Sequence, residues 1–394
     1  MLCIEDRLSL ALMGLEEAQN TLSTHAASQF VAFNRSRCSE AAPFSFNDLG
    51  QLYCLSMQLD DILSSPGGGN EAIPQHVVIC AGEDSRSVTA CVCFLGCYML
   101  LLRDVPIEQV TELFQPIDSE LDCFNHPHES SLDDQLEVLT VHDAWQAVQT
   151  AKEKGWVDFL NHDAEHPDTC IDMEEYLHYS NPANGRLHVI IPSELIAFQR
   201  PSDPSTLLLP DSTMRLWADS SSGRHFSPAF YADILGMDYG VQLVVQCDAQ
   251  PADPPRHRPS ARRSAESGRS RVGDRPAAPP PATPRYDPAA FRQRGIAVER
   301  LPAPAPAPAP ARSSALLRGI DRFLTLARLA PGPVALHGPG MGLGPWGEML
   351  AAVLLVQRHG FDGRAALAWL RIAHPPASSP HLSLAPAPAP PSCN

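Results

Sequence analysis

From Val334 to Gly360 the chain reads VALHGPGMGLGPWGEMLAAVLLVQRHG, an apolar strand, a glycine-rich loop and an apolar helix. That order can hold an anion, because backbone N–H groups converge at a helix N-terminus where the dipole favours negative charge. A second strand-to-helix turn runs Cys80-Ala-Gly-Glu-Asp-Ser-Arg86, a thiol and a guanidinium six residues apart. A thiol becomes a nucleophile only where positive surroundings lower its pKa, and Glu83 and Asp84 supply the opposite inside that turn. Cys93 and Cys97 stand one helical turn apart but lie in an apolar run without histidine nearby, which reads as core packing. No metal and no cofactor is expected.

The elements that must position these loops follow from periodicity. Val77 to Cys80 reads as a strand and Val88 to Leu102 as an apolar helix, shorter than the roughly 20 residues of a membrane span and so expected in the core. Pro106 opens a further helix. In Val141 to Lys154 the residues Val141, Ala144, Trp145, Val148 and Ala151 mark one helical face. Leu187 to Ile191 is a strand, Pro228 to Leu235 a helix and Val241 to Val245 a strand. Helices over Ser314 to Arg328, Pro345 to Arg358 and Phe361 to Ile372 and a strand over Pro333 to Leu336 complete an α/β pattern. Gln250 to Pro284, rich in proline and serine and with seven arginines between Arg256 and Arg275, has too little apolar content to order itself. It reads as a solvated linker, with a nuclear address or a phosphorylation target as the other readings of its basic clusters.

A formal net charge of −16 disfavours nucleic acid and favours a basic partner. The eleven cysteines follow no framework spacing, which suits reduced thiols in the cytoplasm or nucleus. The start, Met-Leu-Cys-Ile-Glu-Asp, carries acids where a signal peptide needs basic residues, so secretion is not expected.

The order of strand, His337, glycine-rich loop, helix and then AWLRIAHP (Ala368 to Pro375) resembles the signature region of dual-specificity phosphatases, H-C-x-x-G-x-x-R-[ST]-G. Further phrases resemble the cell-division-cycle-fourteen branch of that family: HFSPAFYADILGMDYGVQLVVQ, YDPAAFRQRGIAVERL, WQAVQTAKEKGWVDF, DMEEYLHYSNPANGRLHVIIPSELIAFQRP and FSFNDLGQLYC. They fall in order within residues 40 to 246 and 285 to 376. The resemblance implies an α/β fold of two tandem phosphatase-like domains with a helical connector. The implied parts are an N-terminal noncatalytic domain over 1–155, a connector over 156–204, and a C-terminal domain over 205–376. That domain would be interrupted by a disordered insertion at 249–284 and followed by a disordered tail at 377–394.

The family's reaction needs a cysteine thiolate to attack phosphorus, an arginine to grip the phosphate oxygens and an aspartic acid to protonate the leaving group. Aligned on His337, the chain has Gly338 at the cysteine and, with one residue inserted, Pro345 at the arginine, with Gly342 and Gly347 at glycine positions. Ala-Pro repeats follow Leu301 where the acid loop belongs, and Asp321, farther on, reads as a solvated charge. The expectation is a pseudophosphatase scaffold that binds a protein partner or a phosphoprotein, with no nucleic acid and no membrane. The family's preference for phosphoserine-proline followed by a basic residue makes Asp168, Asp172, Glu174 and Glu175 candidates for an acidic groove, and a solvated acidic face reads equally well. The alternative is an active protein phosphatase of cell-cycle control, using Cys80 and Arg86 or a catalytic loop misread in the sequence.

Overall fold

The computed structural model describes residues 1–22, 28–35, 47–64, 76–124, 138–160, 169–202, 207, 215–220, 223–247, 286–304, 309–339, 342–375 and 382–386. The expected insertion at 249–284, Asp168, and residues 387–394 of the expected tail lie outside them.

In chain order the first half carries β1 (Leu2–Glu5), β2 (Leu8–Ala11), α1 (Leu15–Leu22), β3 (Ser28–Arg35), α2 (Leu49–Ser64), β4 (His76–Cys80), α3 (Ser85–Leu102), α4 (Ile107–Phe114) and α5 (Val141–Glu153). The second half carries α6 (Met173–Ser180), β5 (Leu187–Ile191), β6 (Leu195–Phe198), β7 (Trp217–Ser220), β8 (Gly223–Phe226), α7 (Pro228–Met237), β9 (Leu243–Gln246), α8 (Ala289–Gln293), β10 (Ala297–Arg300), α9 (Ala309–Leu329), β11 (Val334–His337), α10 (Gly344–His359), α11 (Gly363–Ala373) and β12 (Leu382–Pro386).

Two five-stranded sheets organise these elements, in the orders β1-β2-β4-β3-β12 and β5-β6-β11-β9-β10. Their plans correspond. Each begins with an antiparallel hairpin at one edge, and a strand that leads into a loop and a long helix lies at the centre, β4 before α3 and β11 before α10. The inner pairings are parallel in both.

Helix α3 is buried on every face from Val88 to Leu102, as an all-round apolar helix must be. It is long and apolar enough to cross a membrane, and 83% of it is buried inside the protein. Gly96 is needed there because Trp145 of α5 lies against it: an added Cβ would meet the indole Nε1 at 2.2 Å. That nitrogen donates to Cys93 O at 3.2 Å.

The halves share a core. Trp156 stacks on Phe361, with centroids 5.5 Å apart, and also contacts Trp369 and His359. Within the second half, Trp369 Nε1 donates to Ile190 O at 2.9 Å, and Tyr176 Oη donates to Ala373 O at 3.1 Å. Arg364 grips both oxygens of Asp143, which also closes the capping box of α5 with Thr140.

Three features stand apart from the expectations. Residues 187–198, expected in a connector, form β5 and β6 and enter the second sheet. The turn at Ser193, with φ 56, lets RLHVIIPSELIAF fold into a hairpin whose apolar residues fit between β11 and α6. Residues 382–386, expected to be disordered with the rest of the tail, pair with β3 because their backbone finds an open sheet edge. The β7–β8 hairpin was not expected, since Trp217–Ser220 is mostly exposed and leaves no alternating pattern.

Candidate functional site

The glycine-rich loop begins where β11 ends, and its first residue is locked. His337 is fully buried; its Nε2 lies 2.8 Å from Tyr286 Oη and its Nδ1 3.4 Å from Gly338 O. Burial pushes its pKa down to about 3, with Arg200 lowering it and the Gly338 contact opposing the shift. The ring is therefore neutral near pH 7, and a carbonyl can only accept. Nδ1 then carries the proton toward Gly338 O, and Nε2 accepts from the Tyr286 hydroxyl.

Beyond His337 the loop closes on itself. Gly338 N donates to Gly342 O at 2.9 Å, so a donor that an anion would need is used internally. A Cβ at position 338 would lie 1.8 Å from Leu343 O and 2.3 Å from its carbonyl carbon. Position 338 has no room for any side chain. The obstructing backbone is itself anchored, because Leu343 is buried in the core and Trp346 donates from Nε1 to Leu301 O at 2.9 Å. Gly344 adopts φ +65 against the Pro339 ring, a turn that a side chain would strain. Pro345 is exposed and brings neither a cation nor an N–H to the helix start. Gly347 packs against Leu343, whose Cβ lies 3.1 Å from where its own Cβ would be.

Asp321 is exposed on α9, as expected of a solvated charge. Leu301 is buried, and the Ala-Pro repeat continues into residues 305–308, which lie outside the described residues, as do Gly340 and Met341.

The first-half turn is filled by its own side chains. Cys80 is 2% exposed, its Sγ lies 3.9 Å from Val78 O, and burial pushes its thiol up to about 11. Asp84 caps α3 by accepting from Ser87 N at 2.9 Å, so a carboxylate occupies a donor that a phosphate would use. Arg86 turns toward Asp122, with Nε 3.8 Å from Oδ2.

The acidic candidates gather on the first turn of α6. Asp172 caps that helix by accepting from Glu175 N at 2.9 Å. Burial pushes the Tyr53 hydroxyl up, with Cys54, Glu174 and Asp172 adding to it, and α6 packs against α2 of the first half. Burial also raises Glu175, whose partner is Tyr239, with Asp172 and Asp238 adding and the Tyr239 hydrogen bond opposing. Tyr179 Oη donates to Asp238 Oδ2 at 3.0 Å. Asp172, Glu174 and Glu175 thus lie between α2 and the end of α7.

Sequence reasoning missed Tyr286, Leu343 and the histidines beside the loop. His374 Nε2 would lie 3.1 Å from a Cβ at Gly342, and its ring meets His188 at a centroid distance of 4.8 Å. Both rings are buried and neutral: burial pushes His374 down to about 3 and His188 well below its usual range, with Arg186 lowering both. The sequence signal for Tyr286 was its place at the head of YDPAAF, 51 residues from its histidine partner.

No protein-family model matches the chain. Tyrosine-protein phosphatase CDC14 of Saccharomyces cerevisiae is 27% identical over 156 residues, 40% of this chain and 25% of the yeast protein. The protein of the same name from Candida albicans is 27% identical over 154 residues, 39% of this chain and 25% of its own length. The chain thus spans about a quarter of the length of these curated relatives and is distantly related to phosphatases of this kind.

Proposed function

We propose that this chain is a phosphatase-like protein that has lost phosphoryl-transfer chemistry and acts by binding a protein partner. One observation carries the reading. The residue at the nucleophile position is a glycine whose missing side chain is replaced in space by the Leu343 backbone. The loop has neither a thiolate nor an open cradle, and the exposed Pro345 replaces the gripping cation.

The corresponding plans of the two sheets support two tandem phosphatase-like domains, the first ending near 155 and the second running from 205 to 376, with β5 and β6 lent to the second sheet from the segment between them. The partner surface we favour is the acidic strip of Asp172, Glu174 and Glu175, which fits the basic residue of a phosphorylated protein segment. Reduced thiols support a cytoplasmic or nuclear setting, since the described cysteines are all free.

The test is hydrolysis of p-nitrophenyl phosphate and of a phosphoserine-proline peptide by the purified chain, expected at the buffer rate. Turnover abolished by Cys80→Ser would move the chemistry to the first-half turn. Turnover that survives Cys80→Ser would refute the reading altogether.

A further inference from the structure

Strand β3 holds two neighbours over different stretches of its length. It pairs in parallel with β4 through Ser28 to Ala32, and antiparallel with β12 through Val31 to Arg35. Phe33, Asn34 and Arg35 have no other strand partner among the described residues. Without β12 the whole outer edge of β3 would present unpaired N–H and C=O groups, which any extended chain can pair with.

The corresponding place in the second sheet belongs to β10, which lies parallel to β9 and follows it by 50 residues of sequence from end to start. In the first sheet that place is filled from the far end of the described chain and in the opposite direction. The register is also selective. Leu384 stands opposite Phe33 and Pro386 opposite Val31, the two β3 residues that lie in the main core. Ser383 stands opposite the exposed Asn34, and Ala385 opposite Ala32. Leu382 stands opposite Arg35, so apolar residues face the core positions of β3 at Leu384 and Pro386, and a one-residue slip would set Leu384 opposite Asn34 or Ala32 instead. Strand β12 also lies against α2. Its last residue is a proline, which adds no donor at the new edge, and an Ala-Pro run follows.

We propose that the β3 edge is a docking edge for extended peptides of the pattern apolar, polar, apolar, small, proline, and that the chain's own Leu382–Pro386 occupies it as a displaceable internal ligand. Pairing through main-chain hydrogen bonds supplies affinity, and the alternating positions supply selectivity. The seven steps from Pro375 to Leu382 span at most about 25 Å. So short a tether gives the internal strand a high effective concentration, and a partner peptide must outcompete it. This edge lies in the first sheet, away from the glycine-rich loop, and the proposal holds whether or not the chain hydrolyses phosphate.

The test uses a fluorescent peptide of residues 381–388 and two full-length chains, the natural one and Ser383→Pro/Leu384→Pro. Consecutive residues of a strand aim their N–H groups in opposite directions, so one of the two prolines must remove a donor aimed at β3. The double variant should bind the peptide at least tenfold more tightly than the natural chain, and a peptide carrying the same two prolines should not bind. Hydrogen exchange supplies the second measurement: amides of residues 31–35 should be protected in the natural chain, exchange quickly in the variant and recover with peptide. Equal binding by both chains, binding of the proline peptide, or unchanged protection in the variant would overturn the proposal. A dimer of the natural chain that the double variant loses would also overturn it, by showing that the strand is exchanged between copies.

Discussion

Replacing Gly338 with alanine tests the closed loop directly. The new Cβ would start 1.8 Å from Leu343 O, and an ordinary carbon-to-oxygen contact is roughly 3.3 Å, so the carbonyl must retreat by about 1.5 Å. It has little freedom to do so, because the Leu343 side chain is buried and the indole of Trp346, three residues on, is fixed to Leu301 O. Gly338 is not among the glycines with positive φ, so the cost is steric rather than conformational. Overpacking of this kind costs about 1–3 kcal/mol, and an obstruction by main chain places Gly338→Ala near the upper end. At about 2 °C per kcal/mol for a large domain, the melting temperature should fall by roughly 6 °C. Gly342→Ala is the matched control: among the described residues its Cβ would meet the His374 ring, with Nε2 at 3.1 Å and Cε1 at 3.7 Å, and should cost under about 1 kcal/mol. Differential scanning calorimetry of both variants decides the matter. If Gly338→Ala melts within 1 °C of the natural chain, on the order of calorimetric error, the loop is open enough for a side chain. The argument from a filled nucleophile position then fails.

Three further outcomes are expected. Arg364→Ala should destabilise by about 1–3 kcal/mol in thermal denaturation, since it leaves the half-buried Asp143 without its bidentate partner. Burial opposes the Asp143 shift, but Arg364 and Thr140 outweigh it and hold the folded pKa below the usual value; this stabilisation is present above the unfolded pKa and fades as pH falls through the folded one, so the variant's deficit should shrink in acid. Glu175 has the opposite sign: its folded pKa is raised, so its contribution is lost as pH rises through that value, and Glu175→Gln should melt higher at pH 7 but not at pH 3, which a pH series of melting curves would contradict if the two curves coincide throughout. Iodoacetamide at pH 8 should modify Cys80 far more slowly than the exposed Cys3, by peptide mapping, and comparable rates would mean that the thiol is neither buried nor raised.

Helices α7, α10 and α11 and the central strand β11 were legible because their apolar residues repeat at helical spacing or run unbroken, and α10 and α11 begin within two residues of their expected starts. By contrast, α6 and α8 were not read as helices, and α9 begins five residues early. The first hairpin was not legible, because LCIE and LSLA are four residues each, too short a window to mark a strand by itself. Strand β12 was hidden by composition: proline on both sides of Leu-Ser-Leu argues for a solvated chain, and only an unpaired edge some 350 residues away makes it a strand. At the site, the glycine at 338 and the proline at 345 could be read from the sequence. That the Leu343 backbone blocks position 338, and that Tyr286 fixes His337, could not, since both depend on contacts that no local pattern encodes.

The tryptophan seam between the halves has a consequence for recognition. With Trp156 wedged against Phe361, Trp369 and His359, and Arg364 tied to Asp143, rocking one sheet against the other would require unstacking aromatic rings inside a common core. In the proposed role, the acidic strip on α6 would be presented by this packed frame, with its width set before a partner arrives. A partner meeting such a surface loses little freedom on the protein's side, so selection can tune its contour residue by residue without having to tune a motion.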